Sequence, residues 1–429
     1  MTSFYHVTLL SNWALAFDKY SQSYNKAFIP KSHYPKVFFV LPHDQLEIGI
    51  KKASGFLKKS NKKGDCLIII ETQLDNKAVK ANQITPTGLG YYIEQTWIKV
   101  SELYYYQNNT RQAVRIEEAM AASYALNGVT KTDYKTLKPR TISILPIAKG
   151  CQAKCAFCFS AASISDEKRK KELTEQKVLS TLEKAQQAGA IRAVITGGGE
   201  PGLVPLKDLL LLLQQCHSFF KEVILISNGY FLVQNPDILE KLIQAGLSKL
   251  SISRHHFDRK TNAKLMGLDI DSEPLALLSQ QLSQQYSHFF LRWVCVLQKG
   301  GIDSSILLQN YIDWAFNHQV KQICFKELYV SSSSESLYFD AKANDWSYQN
   351  QVSLSLITEY AKQQNWRLLF KLPWGSPVYE ITKGNQTMTI AAYTEPSVSW
   401  ELANKTCRSW NLLADGRCYA SLETTESEL

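Results

Sequence analysis

No apolar stretch in this sequence approaches the roughly 20 residues that a membrane-spanning helix requires; the longest pure run, leucines 209–213, falls far short. The first residues, Met1 to His6, lack the basic segment and apolar core of a secretion signal. The expected compartment is therefore the reducing cytoplasm, with no membrane partner. An even cysteine count is missing too. Nine cysteines in a reducing compartment argue against a disulfide framework. With 45% hydrophobic and 20% charged residues, the chain is globular, which excludes collagen-like, coiled-coil and wholly disordered classes. A length of 429 residues allows two or three domains, or one large α/β barrel with additions.

Positive charge is in modest excess, 48 Lys+Arg against 39 Asp+Glu. Six lysines (Lys51, Lys52, Lys58, Lys59, Lys62, Lys63) lie close together. They would attract an acidic peptide or a nucleic acid, but such a run reads first as a solvated helix end. Charge alone establishes no nucleic-acid partner.

Three regions separate by pattern. Residues 1–138 read as an N-terminal α/β accessory domain suited to substrate recognition. It has buried strands at 37–41 and 67–70, a helix around 44–59, and strand or hairpin character over 91–106. A helix from about 115 stops at Asn127-Gly128, and 130–140 reads as a linker. Over 139–330, short apolar strands recur at 142–147, 193–195, 223–226, 250–253, 291–297 and 323–328. Helices at about 166–188, from 206, and at 237–245 intervene. Strands alternating with helices imply parallel βαβ units. Six of them predict a partial (β/α)6 barrel with its chemistry at the carboxyl ends of the strands. Residues 331–429 open on four serines and read as a C-terminal α+β cap. It holds a helix near 351–364, strands at 367–372, 387–392 and 411–419, and a frayed end at 423–429.

Cys151, Cys155 and Cys158 directly follow the first barrel strand. Three thiolates in one loop can wrap a compact, soft metal centre. Structural zinc takes four ligands, and no fourth Cys or His lies close in sequence. A [4Fe–4S] cluster normally takes four cysteines, so three leave one iron open. C-x3-C-x-aromatic-C after the first strand of a partial barrel resembles the radical SAM superfamily. The resemblance implies one [4Fe–4S] cluster on these three cysteines, with S-adenosylmethionine chelating the open iron. It also implies reductive cleavage to a 5′-deoxyadenosyl radical that abstracts a hydrogen from a substrate. Phe157 takes the position that packs near the adenine. Gly198-Gly199-Glu200, after the second strand, resembles the family's GGE motif, which holds the methionine amino group. By the same resemblance Ser227 and Asn228, and Ser253 and Arg254, end the third and fourth strands as ribose and carboxylate contacts. A flavodoxin or ferredoxin is the implied electron donor.

His255 and His256 stand at the same edge, but successive side chains of a strand face opposite ways, so at most one serves the site. Asp258 can cap the next helix. Arg292, Lys326 and Glu327 are pocket candidates, the catalytic set being drawn from His255, His256, Arg292 and Glu327. Cys407 and Cys418 resemble the cysteine-rich extensions of peptide-modifying relatives. An auxiliary cluster needs three or four thiolates, so none is expected here. Cys66, Cys216, Cys295 and Cys324 read as buried small hydrophobes.

The sequence thus predicts a cytoplasmic radical SAM enzyme whose substrate is a peptide or protein. A nucleoside, RNA or small metabolite is the second reading, and a structural cluster protein without turnover the third. The reaction type on the substrate is unspecified.

Overall fold

The computed structural model describes residues 2–13, 27–28, 38–60, 62–81, 89–93, 98–114, 119, 122–123, 125–128, 131–148, 150–158, 173–330, 336–337, 339–396 and 398–429. Residues 159–172, 331–335 and most of 115–124 lie outside this set, so the start of the helix placed at 166, the serine run and the start of the helix placed at 115 do too. The chain divides into two compact units, residues 1–133 with 397–404 and residues 134–396 with 405–429. The sequence had suggested three. Among the described residues no helix is long and apolar enough to cross a membrane.

Among the described residues the first unit has nine strands: β1 (Thr2–Leu9), β2 (Ala27–Phe28), β3 (Phe38–Val40), β4 (Leu67–Leu74), β5 (Lys80–Ala81), β6 (Tyr91–Ile93), β7 (Ile98–Lys99), β8 (Glu102–Gln107) and β9 (Thr110–Ala113). They form an antiparallel sheet β1-β4-β8-β9, a ribbon β2-β7 and a small sheet β3-β6-β5. Residues 91–106 are therefore three strands in three sheets rather than one strand or hairpin. The apolar run in β4 is buried on both faces. Ile68 and Ile70 pack with Phe4 and Leu103, while Leu67 and Ile69 meet Leu46, Ile50 and Ala53 of the helix Leu46–Leu57. That helix leaves Lys51 and Lys52 exposed on its other side. Asn108 and Asn109, both at positive φ, make the tight turn between β8 and β9. All four residues of β9 are exposed, and its outer edge has no strand partner among the described residues.

The second unit holds β10 (Lys138–Leu145), β11 (Ala193–Ile195), β12 (Val223–Ser227), β13 (Lys249–Ser253), β14 (Phe290–Val296) and β15 (Gln322–Lys326), the six parallel strands of the partial barrel. They are followed by β16 (Arg367–Lys371), β17 (Pro377–Lys383), β18 (Gln386–Tyr393), β19 (Thr406–Leu413) and β20 (Cys418–Tyr419). These last five form no separate cap. β18 pairs in parallel with β15 and β19 in parallel with β10, so the six strands become eight, and β16-β17 and β20 extend the two edges. Glu395, just past β18, joins the two ends of the parallel set. Its carboxylate meets Arg408 of β19 at 2.7 Å, Lys326 of β15 at 3.1 Å and the Tyr393 hydroxyl at 2.8 Å.

Alternation along the strands decides which side chains face the helices. Leu250, Ile252, Leu291, Trp293, Cys295, Ile323 and Phe325 enter the main core on the helix-covered side. The intervening row, with Ser251, Arg292 and Gln322, takes the other face. The helix Glu175–Gln187 shows why the covering elements form. Thr174 caps it by accepting from the Lys177 N–H, Val178, Leu182 and Ala185 bury one face, and Gly189 at φ 112° ends it.

Two local expectations change. Ser355–Gln363 forms the helix placed near 351–364, and a second helix, Ala341–Gln349, precedes it. The end placed as frayed is folded: Leu429 N–H donates to the Cys418 carbonyl at 2.8 Å, and Tyr419 bridges Glu428.

Candidate functional site

The cysteine loop leaves β10 and is held from two sides. Lys154 N–H donates to the Met266 carbonyl at 2.7 Å, and the Cys155 thiol lies 3.7 Å from the same oxygen. On the other side, Gly150 accepts from the Glu200 N–H at 2.8 Å. Cys151 is exposed, and Cys155 and Cys158 are half-buried. Burial, then the neighbouring Cys158 and Cys151 thiols, push Cys155 up to about 12. Cys151 is raised as well, by burial first and then by the Glu200 and Cys158 charges. Neighbouring thiols that hinder the ionisation of Cys151 and Cys155 are a donor set a cationic iron–sulfur centre fits, because the centre's charge removes that repulsion. Among the described residues no three His, Cys, Asp or Glu side chains gather around a single ion. None of the nine cysteines is in a disulfide.

The glycines of Gly198-Gly199-Glu200 serve packing. A Cβ on Gly198, whose φ is 79°, would lie 2.2 Å from the Ile147 carbonyl oxygen. One on Gly199 would lie 2.3 Å from that of Gly150. Only glycine lets this segment lie against the backbone that leads into Cys151. Glu200 is buried, and its carboxylate accepts from Ser227 Oγ at 2.6 Å, Asn228 N–H at 2.8 Å and Gly202 N–H at 2.9 Å. Burial raises its pKa despite those three bonds. The bonding of Glu200 is thus internal: it ties the loop after β11 to the end of β12.

Ser227 completes that knot by accepting from the Gly229 N–H at 2.8 Å. Asn228 reaches the cysteine loop itself, its amide donating toward Cys151 Sγ at 3.5 Å and to Gln152 Oε1 at 3.2 Å. Ser253 ends β13, half-buried.

Arg254 does not join the site. It is fully buried on the helix side, donating to the His256 and Phe257 carbonyls at 2.8 Å each, near Glu273 at 3.5 Å and over the Trp314 ring at 4.8 Å. One residue on, the alternation turns His255 to the site. Its ring meets Phe157 of the cysteine loop edge-on, centroids 5.1 Å apart, and Phe157 in turn meets Trp346 at 6.1 Å. The Val296 N–H donates to His255 Nδ1 at 3.1 Å, which leaves the hydrogen of the neutral ring on Nε2. Burial and the Arg254 charge hold this imidazole down to about 4. His256 is folded into its own turn, stacked on Phe257 and accepting from the Asp258 N–H at 3.0 Å. Asp258 caps the helix Arg259–Met266.

Two further candidates fall outside the site. Arg292 sits near the start of β14, donating to Ser251 at 3.0 Å, and its charge is felt by Glu222 and Lys249 at the strands' amino ends. Glu327 accepts from the Leu354 N–H at 3.5 Å, at the start of the helix Ser355–Gln363. Lys326 is engaged with Glu395. Cys407 pairs with Pro139 near the start of β19, and Cys418 pairs opposite Leu412 near its end. The five-residue step from Cys407 to Leu412 puts the two cysteines roughly 16 Å apart along the strand.

The sequence reasoning missed Gln298 and Gln351. Gln298 follows β14 on the same row as Val294 and Val296 and is fully buried. Gln351 forms an antiparallel bridge with it. The partners stand 53 positions apart, and no local pattern links them.

Compared with known proteins, residues 145–274 match the family model of the radical SAM superfamily. GTP 3',8-cyclase of Aquifex aeolicus (strain VF5) is 24% identical over 296 residues, covering 67% of this chain and 83% of that protein. A probable GTP 3',8-cyclase of Saccharolobus solfataricus is 29% identical over 126 residues, 29% of this chain and 38% of that one. Among solved structures, Streptococcus suis SuiB bound to precursor peptide SuiA gives a TM-score of 0.46 at 16% identity, over 74% of this chain and 67% of that one. HemN, coproporphyrinogen III oxidase from Escherichia coli, gives 0.37 at 12%, over 55% of each.

Proposed function

The chain belongs to the radical SAM superfamily through residues 145–274, and from that premise we propose that it abstracts hydrogen from a peptide or protein. Membership implies a [4Fe–4S] cluster and S-adenosylmethionine, which together supply a 5′-deoxyadenosyl radical. Cys151, Cys155 and Cys158 would hold the cluster. Phe157 in the loop and Asn228 beside it would line the nucleoside, with Ser227 and Glu200 keeping Asn228 in place. An electron donor such as a flavodoxin or ferredoxin would supply the electron to a cluster held there.

The observation that carries the peptide reading is the edge of β9. Four exposed residues present an open row of backbone donors and acceptors, to which an extended peptide can add as a strand. The second reading, a nucleotide substrate, is favoured by the names of the two curated relatives, which are GTP 3',8-cyclases. Salt-sensitive binding of a nucleotide or RNA would favour it.

The test begins with anaerobic reconstitution. The protein should bind iron and cleave S-adenosylmethionine under reduction, and Cys155→Ala should lose both together. Iron-free protein, or cleavage retained in Cys155→Ala, overturns the assignment. Hydrogen–deuterium exchange with candidate precursor peptides should then show protection in 110–113.

A further inference from the structure

We propose that the carboxyl ends of β13 and β14, beneath the helix Ala341–Gln349, form a pocket for an uncharged amide group of the substrate. This rests on the peptide reading above and gives that peptide a contact inside the barrel. Two buried polar atoms carry the inference. Gln298 Oε1 and Gln351 Nε2 each have no hydrogen-bond partner among the described residues, although their residues are bridge-paired. An orphan acceptor on one bridge partner and an orphan donor on the other are each costly unless a ligand supplies the complementary group. A peptide group offers both: its N–H suits Gln298 Oε1, and its C=O suits Gln351 Nε2.

The surroundings belong to the same site. Gln298 Nε2 donates to the Val296 carbonyl at 3.4 Å, and the Val296 N–H holds the His255 ring that meets Phe157. His255 therefore offers a second neutral donor, Nε2–H, at the cysteine loop. The roof is tied down by the neighbouring residue of each partner. Lys299 N–H donates to the Asn350 carbonyl at 3.0 Å, and Lys299 Nζ to the Gln349 carbonyl at 2.8 Å. Trp346 of that roof meets Phe157. Aromatic walls with a few fixed polar groups are the usual make-up of a small-ligand pocket. The polar groups named for it, Gln298, Gln351 and the neutral His255 ring, carry no charge, so an amide is favoured over a carboxylate or phosphate.

The probes are N-acetyl-leucine N-methylamide and its methyl ester, which keeps the carbonyls and lacks the terminal N–H. Dissociation constants are measured by ligand-observed NMR on the anaerobically reconstituted protein with S-adenosylmethionine present. The wild type should bind the amide about tenfold more tightly than the ester, a difference of about 1.4 kcal/mol. Gln298→Met should abolish that preference and leave the ester unchanged. Gln351→Met should weaken both probes alike. Melting temperatures of both variants report whether the fold is intact. Equal binding of the two probes by the wild type, no amide binding at all, or a preference that survives Gln298→Met overturns the pocket. If S-adenosylmethionine is still cleaved in that event, the radical SAM assignment stands and only the pocket falls. Loss of cleavage in the wild type removes the reading beneath it.

Discussion

The amide of Glu200 donates to the carbonyl of Gly150, the residue immediately before Cys151, at 2.8 Å. Through this one bond the loop after the second barrel strand holds the first turn of the cysteine loop. Its close approach depends on two glycines that leave no room for a methyl group.

Gly199→Ala should therefore act on iron binding. The added carbon would meet the Gly150 oxygen at 2.3 Å, a contact that only backbone movement relieves. We expect a stability loss of roughly 1–3 kcal/mol and iron content well below that of the wild type. Iron analysis of the reconstituted variant, alongside its melting temperature, separates the two effects. Full iron loading would show that the loop is held elsewhere.

His255 gives the fold a specific acid sensitivity. Its folded-state pKa is lowered to about 4 from 6.5, so between those values the unfolded chain binds a proton that the folded chain refuses. Stability from this group is complete above about pH 6.5 and is lost as pH falls toward 4, by up to about 3 kcal/mol. Urea unfolding across that range should show the decline, and His255→Gln, which cannot titrate, should flatten it. An unchanged slope would assign the acid sensitivity to another group.

Arg254 should behave as a core residue. Arg254→Met would leave the His256 and Phe257 carbonyls without their guanidinium donor and remove the cation from the Trp314 face. The expected cost is about 3 kcal/mol, read as a lower urea midpoint. Affinity for S-adenosylmethionine, measured well below the unfolding temperature, should change less than threefold. A large loss of affinity at full stability would return Arg254 to the site.

Glu395→Gln tests the join between the ends of the parallel strands. The carboxylate is held below its ordinary range by Arg408 and Lys326. Neutralising it leaves two cations facing one amide. We expect about 3 kcal/mol of destabilisation and faster proteolysis of residues 405–429. A wild-type melting temperature would show that the strand pairing alone suffices.

How much of this was legible in the sequence varies with the distance over which the cause acts. The cysteine loop, the glycine pair and the six strands are local patterns, and all lie where residue type and spacing put them. Arg254 was misplaced because nearness to a strand end was weighed above strand alternation. The same parity that brings His255 to Phe157 turns Arg254 to the helices. Arg292 was misplaced along the strand rather than across it, since periodicity names a face and not a height. The folding of 406–413 onto β10, and the Gln298–Gln351 bridge, join segments far apart in the chain. No window of sequence contains both partners.

The pairing of β19 with β10 also sets an order of assembly. Thr141 and Arg408, which share a hydrogen bond between those strands, stand 267 positions apart. On the ribosome, the strand that launches the three thiols emerges before β19 and keeps one bare edge until some 267 further residues have been made. A scaffold protein or chaperone that delivers iron and sulfur during synthesis would therefore meet a half-framed loop.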